Sequence, residues 1–155
     1  MTRNKMLADL KKKHKHASVA SCRENDCGVL VGNGRRYVTF KGERLSKNPV
    51  KMCDCVIFME GGTIILVEIK SRHLDIGSIE EKFTNAGREA LGMAEGYGDL
   101  GVWCVLVTRK RAKRGAIERL RQRCRPLIGG KRQRVRYAKC DCRLTDVLRQ
   151  QAPWE

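Results

Sequence analysis

Residues 52–70 read MCDCVIFMEGGTIILVEIK. Two apolar runs, Met52–Met59 and Thr63–Ser71, flank Glu60-Gly61-Gly62, so they read as two antiparallel strands joined by a tight turn. Val56 and Phe58 alternate with Cys55 and Ile57, and Ile64 and Leu66 alternate with Ile65 and Val67. Strands that are apolar on both sides lie at the centre of a sheet, covered above and below. Asp54, Glu68 and Lys70 interrupt this pattern. A charge in a central strand is costly to desolvate unless it is paired or bound to a metal. If Met59 lies opposite Thr63, Asp54 falls opposite Glu68, with Cβ atoms about 5 Å apart on one face. Lys70 is two residues further on and points to that same face. A slip of one residue would send the two carboxylates to opposite faces.

That convergence has a chemistry. Adjacent carboxylates repel, and one pKa rises unless a cation sits between them. Hard oxygen ligands suit Mg2+, with Mn2+ able to substitute. Such an ion polarises a phosphoryl oxygen and acidifies a bound water. A neighbouring lysine orients that water, deprotonates it as the neutral amine, or as the ammonium neutralises charge growing in the transition state. Taken singly, each of the three residues also suits a plain ion pair at the end of a sheet.

Outside this hairpin, residues 1–21 read as a basic helix or arm, with residues 22–155 as one domain. Cys27–Val31 and Arg36–Phe40 read as a second hairpin around Gly32-Asn33-Gly34. Residues 41–50 read as loop. Ser78 and Glu81 form a capping box, and Ile79, Phe83, Ala86, Ala90 and Met93 follow at helical spacing, which predicts a helix over 78–95. Val102–Thr108 is a further buried strand. Gly115–Arg125 is a helix with Ile117, Leu120, Cys124 and Leu127 on one face. Arg134–Lys139 is a late strand and Leu144–Arg149 a short helix.

The chain has 155 residues and a net charge of +16, from 33 Lys and Arg against 17 Asp and Glu. This length suits one domain. There is neither an apolar run long enough to span a bilayer nor a secretory signal pattern, so an intracellular, non-membrane protein is expected. The excess positive charge favours a polyanionic partner, nucleic acid first. An anionic membrane surface, a ribosome-like structural role and a basic surface kept for solubility remain other readings of the charge. Aromatic residues are only 5%, which disfavours a base-stacking platform and favours duplex or branched DNA over single-stranded RNA. The eight cysteines are compatible with small buried hydrophobes, with disulfides, or with a metal or iron–sulfur site gathered from Cys22, Cys27, Cys140 and Cys142.

Asp54, thirteen intervening residues, then Glu68-Ile69-Lys70 resembles the core motif of the PD-(D/E)xK nuclease superfamily. The resemblance covers roughly residues 20–108. It implies an α/β fold with a restriction-endonuclease-like core, a mixed central sheet flanked by helices in the order α-β-β-β-α-β. It also implies metal-dependent nucleic-acid cleavage. Carried over by position, Asp54 and Glu68 would be metal ligands, the Ile69 carbonyl a further ligand, and Lys70 the water-orienting residue. Val67 would pack beside the metal. Cys53 stands where the family's nominal proline does, and no Gln-x-x-x-Tyr motif of the exonuclease subgroup occurs in 78–95.

Many members of that superfamily add an acidic residue from the helix before the sheet, a role for which Glu24 is the first choice and Asp26 the second. Ser71 and Lys82 are candidate nucleic-acid contacts; Lys82 and Asn85 are both on the helix that follows the ExK strand and can face the site, and His73, just past that strand, is a candidate for proton transfer. Arg109, Lys110, Arg111, Lys113 and Arg114 are placed to hold phosphates without reading sequence. The expected activity is an Mg2+-dependent endodeoxyribonuclease acting on duplex or branched DNA, possible as a homodimer because two strands need two sites. In size and motif order the chain resembles small Holliday junction resolvases. The alternative is a nucleic-acid-binding protein that keeps the fold without cleavage.

Overall fold

The computed structural model of the chain describes residues 3–32, 34–70, 73–109 and 113–149. In chain order the elements are α1 (Arg3–Lys13), β1 (Ser18–Val19), β2 (Cys22–Glu24), β3 (Cys27–Val29), β4 (Tyr37–Lys41), α2 (Gly42–Leu45), β5 (Cys55–Met59) and β6 (Thr63–Lys70). They continue as α3 (Ile76–Met93), β7 (Gly101–Thr108), α4 (Arg114–Arg123), β8 (Leu127–Ile128), β9 (Lys131–Arg132), β10 (Val135–Lys139) and α5 (Leu144–Arg149). The protein is α/β. Its central sheet is mixed and six-stranded, in the order β1-β4-β5-β6-β7-β10. Strands β1, β4, β5 and β6 pair antiparallel, whereas β6, β7 and β10 pair parallel. Among the described residues, no helix is long and apolar enough to cross a membrane.

The alternation in β5 and β6 builds two cores. Val56, Phe58, Ile64 and Leu66 face a layer holding Ile79, Phe83 and Ala86 of α3, Leu120 of α4, and Met6 and Leu10 of α1. Ile57, Met59, Ile65 and Val67 face the opposite layer, where Cys22 and Cys27 of the β2–β3 hairpin and Leu144 of α5 pack. Helix α1 is thus part of the main core, despite its run of three lysines at the C-terminal end.

The β5–β6 register pairs Met59 with Thr63 and Cys55 with Val67, as the turn chemistry of Glu60-Gly61-Gly62 predicts. Gly61 and Gly62 take φ of 90° and 91°, which only glycine adopts freely. Other expectations need correction. Cys27–Val31 does not pair with Arg36–Phe40. Strand β3 pairs instead with β2 across Asn25-Asp26, and β4 pairs with β1 and β5. Asn25 has φ 54°, a left-handed conformation that Asn tolerates well. The stretch 41–50 contains α2 rather than loop alone. Helix α3 begins two residues before Ser78, because Asp75 is its cap and accepts the Ser78 N–H at 3.1 Å. Glu81 pairs with Lys51 at 3.9 Å instead of closing a capping box. Leu127 is 46% exposed in β8 and does not share the buried face of Leu120 and Cys124.

Gly42 fixes the entry to β5. Its N–H donates to the Asp54 carbonyl at 2.9 Å. A Cβ on Gly42 would stand 1.8 Å from the Cys53 carbonyl oxygen, which is backbone and cannot swing away. Gly42→Ala should therefore destabilise the fold by about 1–3 kcal/mol, the usual cost of overpacking. Urea denaturation checks this, and a wild-type midpoint would refute the close approach.

Candidate active site

The strand register carries Asp54 and Glu68 to the same end of the sheet, beside the carboxyl ends of β6 and β7. In open α/β sheets, that end is where ligands bind. The two residues are locked reciprocally. Asp54 N–H donates to Glu68 Oε1 at 3.2 Å, and Ile69 N–H donates to Asp54 Oδ2 at 2.7 Å. Glu68 is 1% exposed. Its other oxygen, Oε2, takes Lys82 Nζ at 2.7 Å and Lys70 Nζ at 3.6 Å. Two ammonium groups on one buried carboxylate meet its need for countercharge.

Asp54 is held differently. Its carboxyl receives one backbone N–H and, among the described residues, no lysine. Its pKa is pushed up to about 7, first by burial, then by repulsion from Glu68 and by a hydrogen bond between the two carboxyls; the Ile69 N–H opposes the rise and the field of Glu24 adds to it. Repulsion within the carboxyl pair thus adds to a rise that burial begins.

Glu24 reaches this site from the end of β2, not from a helix. It lines a cleft of about 130 Å3 together with Asn25, Cys27, Asp54, Ile69 and Arg109. The tip of its hairpin is tied to the end of β7 by an Asp26–Arg109 ion pair at 2.6 Å. Disulfides Cys22–Cys55 and Cys27–Cys140 flank the tip. They correct the reading that Cys22, Cys27, Cys140 and Cys142 gather one metal: three of these are bonded in two different pairs, and Cys142 is a free thiol. Cys53, Cys104 and Cys124 are free and buried, as small apolar residues would be, and burial raises their thiol pKa values.

Other expected contacts divide. Lys82 turns inward, its Nζ donating to Glu68 Oε2 at 2.7 Å. Its position beside Phe83 on the buried edge of α3 was the signal for this role. Asn85 Nδ2 donates to the Lys51 carbonyl at 2.8 Å. His73 is exposed. Lys113 and Arg114 are exposed where α4 begins, and Arg109 is engaged by Asp26. Ser71, Lys110 and Arg111 lie outside the described residues.

Among the described residues, no group of three or more His, Cys, Asp or Glu side chains is gathered as a complete metal site. The donor set nevertheless fits a hard divalent ion in part. Two adjacent carboxyls form the seat: both lysines lie on Glu68, and Asp54, whose pKa is raised, has no lysine on it among the described residues. Ile69 lines the same cleft, and a backbone carbonyl is an oxygen ligand of the right hardness. Comparison with known proteins returns no matching family model, curated protein or solved structure.

The Asp54 carboxyl makes stability depend on pH. Its folded pKa lies above its unfolded one, so between about pH 4 and pH 7 the folded state binds more protons. Unfolding free energy therefore falls as pH rises through that window. Without divalent ions, thermal melts at pH 5, 6, 7 and 8 should show Tm declining, and Asp54→Asn should flatten the decline. An identical slope in both proteins would refute this assignment.

Proposed function

We propose that this chain is a divalent-cation-dependent endodeoxyribonuclease of the PD-(D/E)xK kind, with a restriction-endonuclease-like core, hydrolysing phosphodiester bonds of duplex or branched DNA. The observation that carries this reading is the in-register meeting of Asp54 and Glu68, with Lys70 on the same carboxylate. A purely structural ion pair would need one carboxylate. The second carboxyl raises the electrostatic cost, and Asp54 responds by holding its proton.

In this reading Asp54, Glu68 and the Ile69 carbonyl hold Mg2+, or Mn2+ in its place. When bound, the ion polarises the scissile phosphate and acidifies a water. Lys70 orients the attacking water and offsets charge as it grows on the phosphoryl oxygens. Its Nζ is only 3.6 Å from Glu68, so the strand itself fixes its reach. Lys82 positions Glu68 from α3 and leaves Lys70 free to turn to the substrate. Glu24 completes the rim of the cleft and can hold a water or share the cation.

Lys113 and Arg114 stand at the positive end of the α4 dipole, where cations are locally unfavourable. That arrangement suits an arriving phosphate, which all these groups attract. Cutting both strands of a duplex calls for two such sites, so the working form is a homodimer. The same reading puts the protein with cellular DNA, inside the cell.

The test offers labelled linear duplex, single strand, four-way junction and RNA, each with Mg2+, Mn2+ or EDTA. Wild type should cut a DNA substrate only with a divalent ion. Asp54→Ala and Glu68→Ala should each lose at least about 10²-fold in rate, as when one transition-state-stabilising group is removed, while still binding DNA. If wild type binds DNA and cuts nothing, the chain is a binding protein on a nuclease-like scaffold.

The basic rim has its own expected outcome. Replacing Lys113 and Arg114 together by Ala should weaken binding equally across DNA sequences. It should also lower the slope of log K against log salt by about 0.9 for each phosphate that is no longer neutralised. An unchanged slope in fluorescence anisotropy titrations would remove these two residues from the interface.

A further inference from the structure

Glu24 sits on a four-residue hairpin tip, residues 23–26, with a disulfide at each flank. Cys22 precedes Glu24 by two residues and is bonded to Cys55, the immediate neighbour of Asp54. Cys27 follows the tip and is bonded to Cys140, just past β10. The β2–β3 ladder contains only three residue pairs and lies outside the six-stranded sheet. A two-stranded ribbon of that length does not hold its place unaided. Its remaining ties at the tip are ion pairs: Asp26 with Arg109 at 2.6 Å, and Arg23 with Asp141 at 3.8 Å. In both pairs at least one partner is more than half exposed, so solvent screens them. Behind the tip, β3 is joined to the α5 side by the Leu30 N–H to Cys142 carbonyl bond at 2.9 Å and the Asp141 N–H to Gly28 carbonyl bond at 2.7 Å. Those bonds anchor β3; β2, which carries Glu24, is held by its three-pair ladder to β3 and by the Cys22–Cys55 link, which is its covalent tie to the Asp54 side of the cleft.

We propose that Cys22 and Cys55 are positioning residues for Glu24, and that their disulfide makes cation binding at the Asp54–Glu68 cleft dependent on thiol redox state. The proposal rests on the nuclease reading for its cation and extends it to regulation of that site. With the bond closed, Glu24 is held at the rim of the cleft. With it open, β2 is free to lift from β5 and the third carboxylate leaves. The opening step is thiol–disulfide exchange with a dithiol reductant. One reductant thiolate attacks a protein sulfur and breaks the S–S bond, giving a mixed disulfide. The second reductant thiol then closes its own ring. Two electrons pass to the protein, which gains two thiols, and the reductant leaves as a cyclic disulfide. Cys140 is partly exposed whereas Cys22, Cys27 and Cys55 are buried, so the Cys27–Cys140 bond opens first and the Cys22–Cys55 bond opens after it.

The experiment uses the full chain, oxidised or treated with dithiothreitol, with circular dichroism to establish that both forms are folded. Alkylation and peptide mass mapping count the free thiols. Mn2+ affinity is read by calorimetry, and backbone hydrogen exchange is read over residues 22–29. Reduction should weaken Mn2+ binding about 10-fold, the lower end for losing an outer support of a metal site. It should also speed exchange at 22–29, and reoxidation should restore both. The Cys22→Ala, Cys55→Ala double variant should match the reduced protein without reductant. In Glu24→Gln, reduction should still speed exchange but no longer change Mn2+ affinity; a merely structural bond would weaken affinity there too. Eight free thiols in the oxidised protein, or equal Mn2+ affinity in both folded redox forms, would overturn the proposal. If the oxidised protein binds no Mn2+ at all, the metal reading fails first and this inference falls with it. A loss on reduction alone leaves the nuclease reading standing.

Discussion

Glu68 is a carboxylate kept almost wholly out of water on the central strand of the sheet, and much of the surrounding structure serves its charge. A buried charge without partners is costly enough to neutralise itself or break the fold. Here the partners come from three elements. Strand β6 supplies Lys70, α3 supplies Lys82, and the entry to β5 supplies the Asp54 N–H. Each donor depends on a different packing relation, so the carboxylate ties strand register, helix placement and loop geometry into one requirement. Shifting β5 by one residue would remove the N–H and reverse every side chain of the strand. The apolar alternation and the buried acid therefore enforce the same register.

The two faces of the sheet then divide the labour. One face carries the larger core, closed by α1, α3 and α4. The other is covered by a short hairpin and α5, a thinner layer rich in cysteine. A layer with little apolar area gains most from covalent ties, because its own burial does not offset the chain entropy of ordering it. The Cys22–Cys55 and Cys27–Cys140 bonds lie in that layer. The free Cys104 and Cys124 lie in the larger core and behave as ordinary apolar side chains.

The legibility of the sequence follows the same division. The β5–β6 hairpin can be read because a glycine turn, strict alternation and two misplaced acids all point to one register. The convergence of Asp54, Glu68 and Lys70 comes with it. Helix α3 is legible from its apolar period, but its first residue is not, since Asp75 and Ser78 are both good caps and only tertiary packing chooses between them. The β2–β3 hairpin is not legible. Gly32-Asn33-Gly34 offers stronger turn chemistry than Asn25-Asp26, and Cys22-Arg23-Glu24 has no strand-like alternation. The ties that select the β2–β3 pairing are long-range, including bonds spanning 33 and 113 residues. Eight cysteines do not announce their partners, so the position of Glu24 in the chain marks it as a candidate while the element that delivers it stays hidden.

The net charge of +16 contrasts with the carboxyls gathered at the cleft. At about 0.1 M salt, exposed charges more than about 10 Å apart are largely screened, so the basic surface acts on an approaching polyanion collectively and at short range. Within the cleft charges of both signs meet. The two lysines that approach carboxylates there are both on Glu68, whereas Asp54 shares its surroundings with Glu24. A phosphodiester drawn to Lys113 and Arg114 would meet repulsion at Asp54 unless a cation or a proton stood there. A proton costs the site its negative charge, and with it any power to activate water. A divalent cation keeps both carboxylates ionised and reverses the local sign toward phosphate. Of the two ways to resolve this conflict, only the second leaves the pairing of two acids in a basic protein with work to do, which is why the cleft argues for catalysis more strongly than the surface charge does.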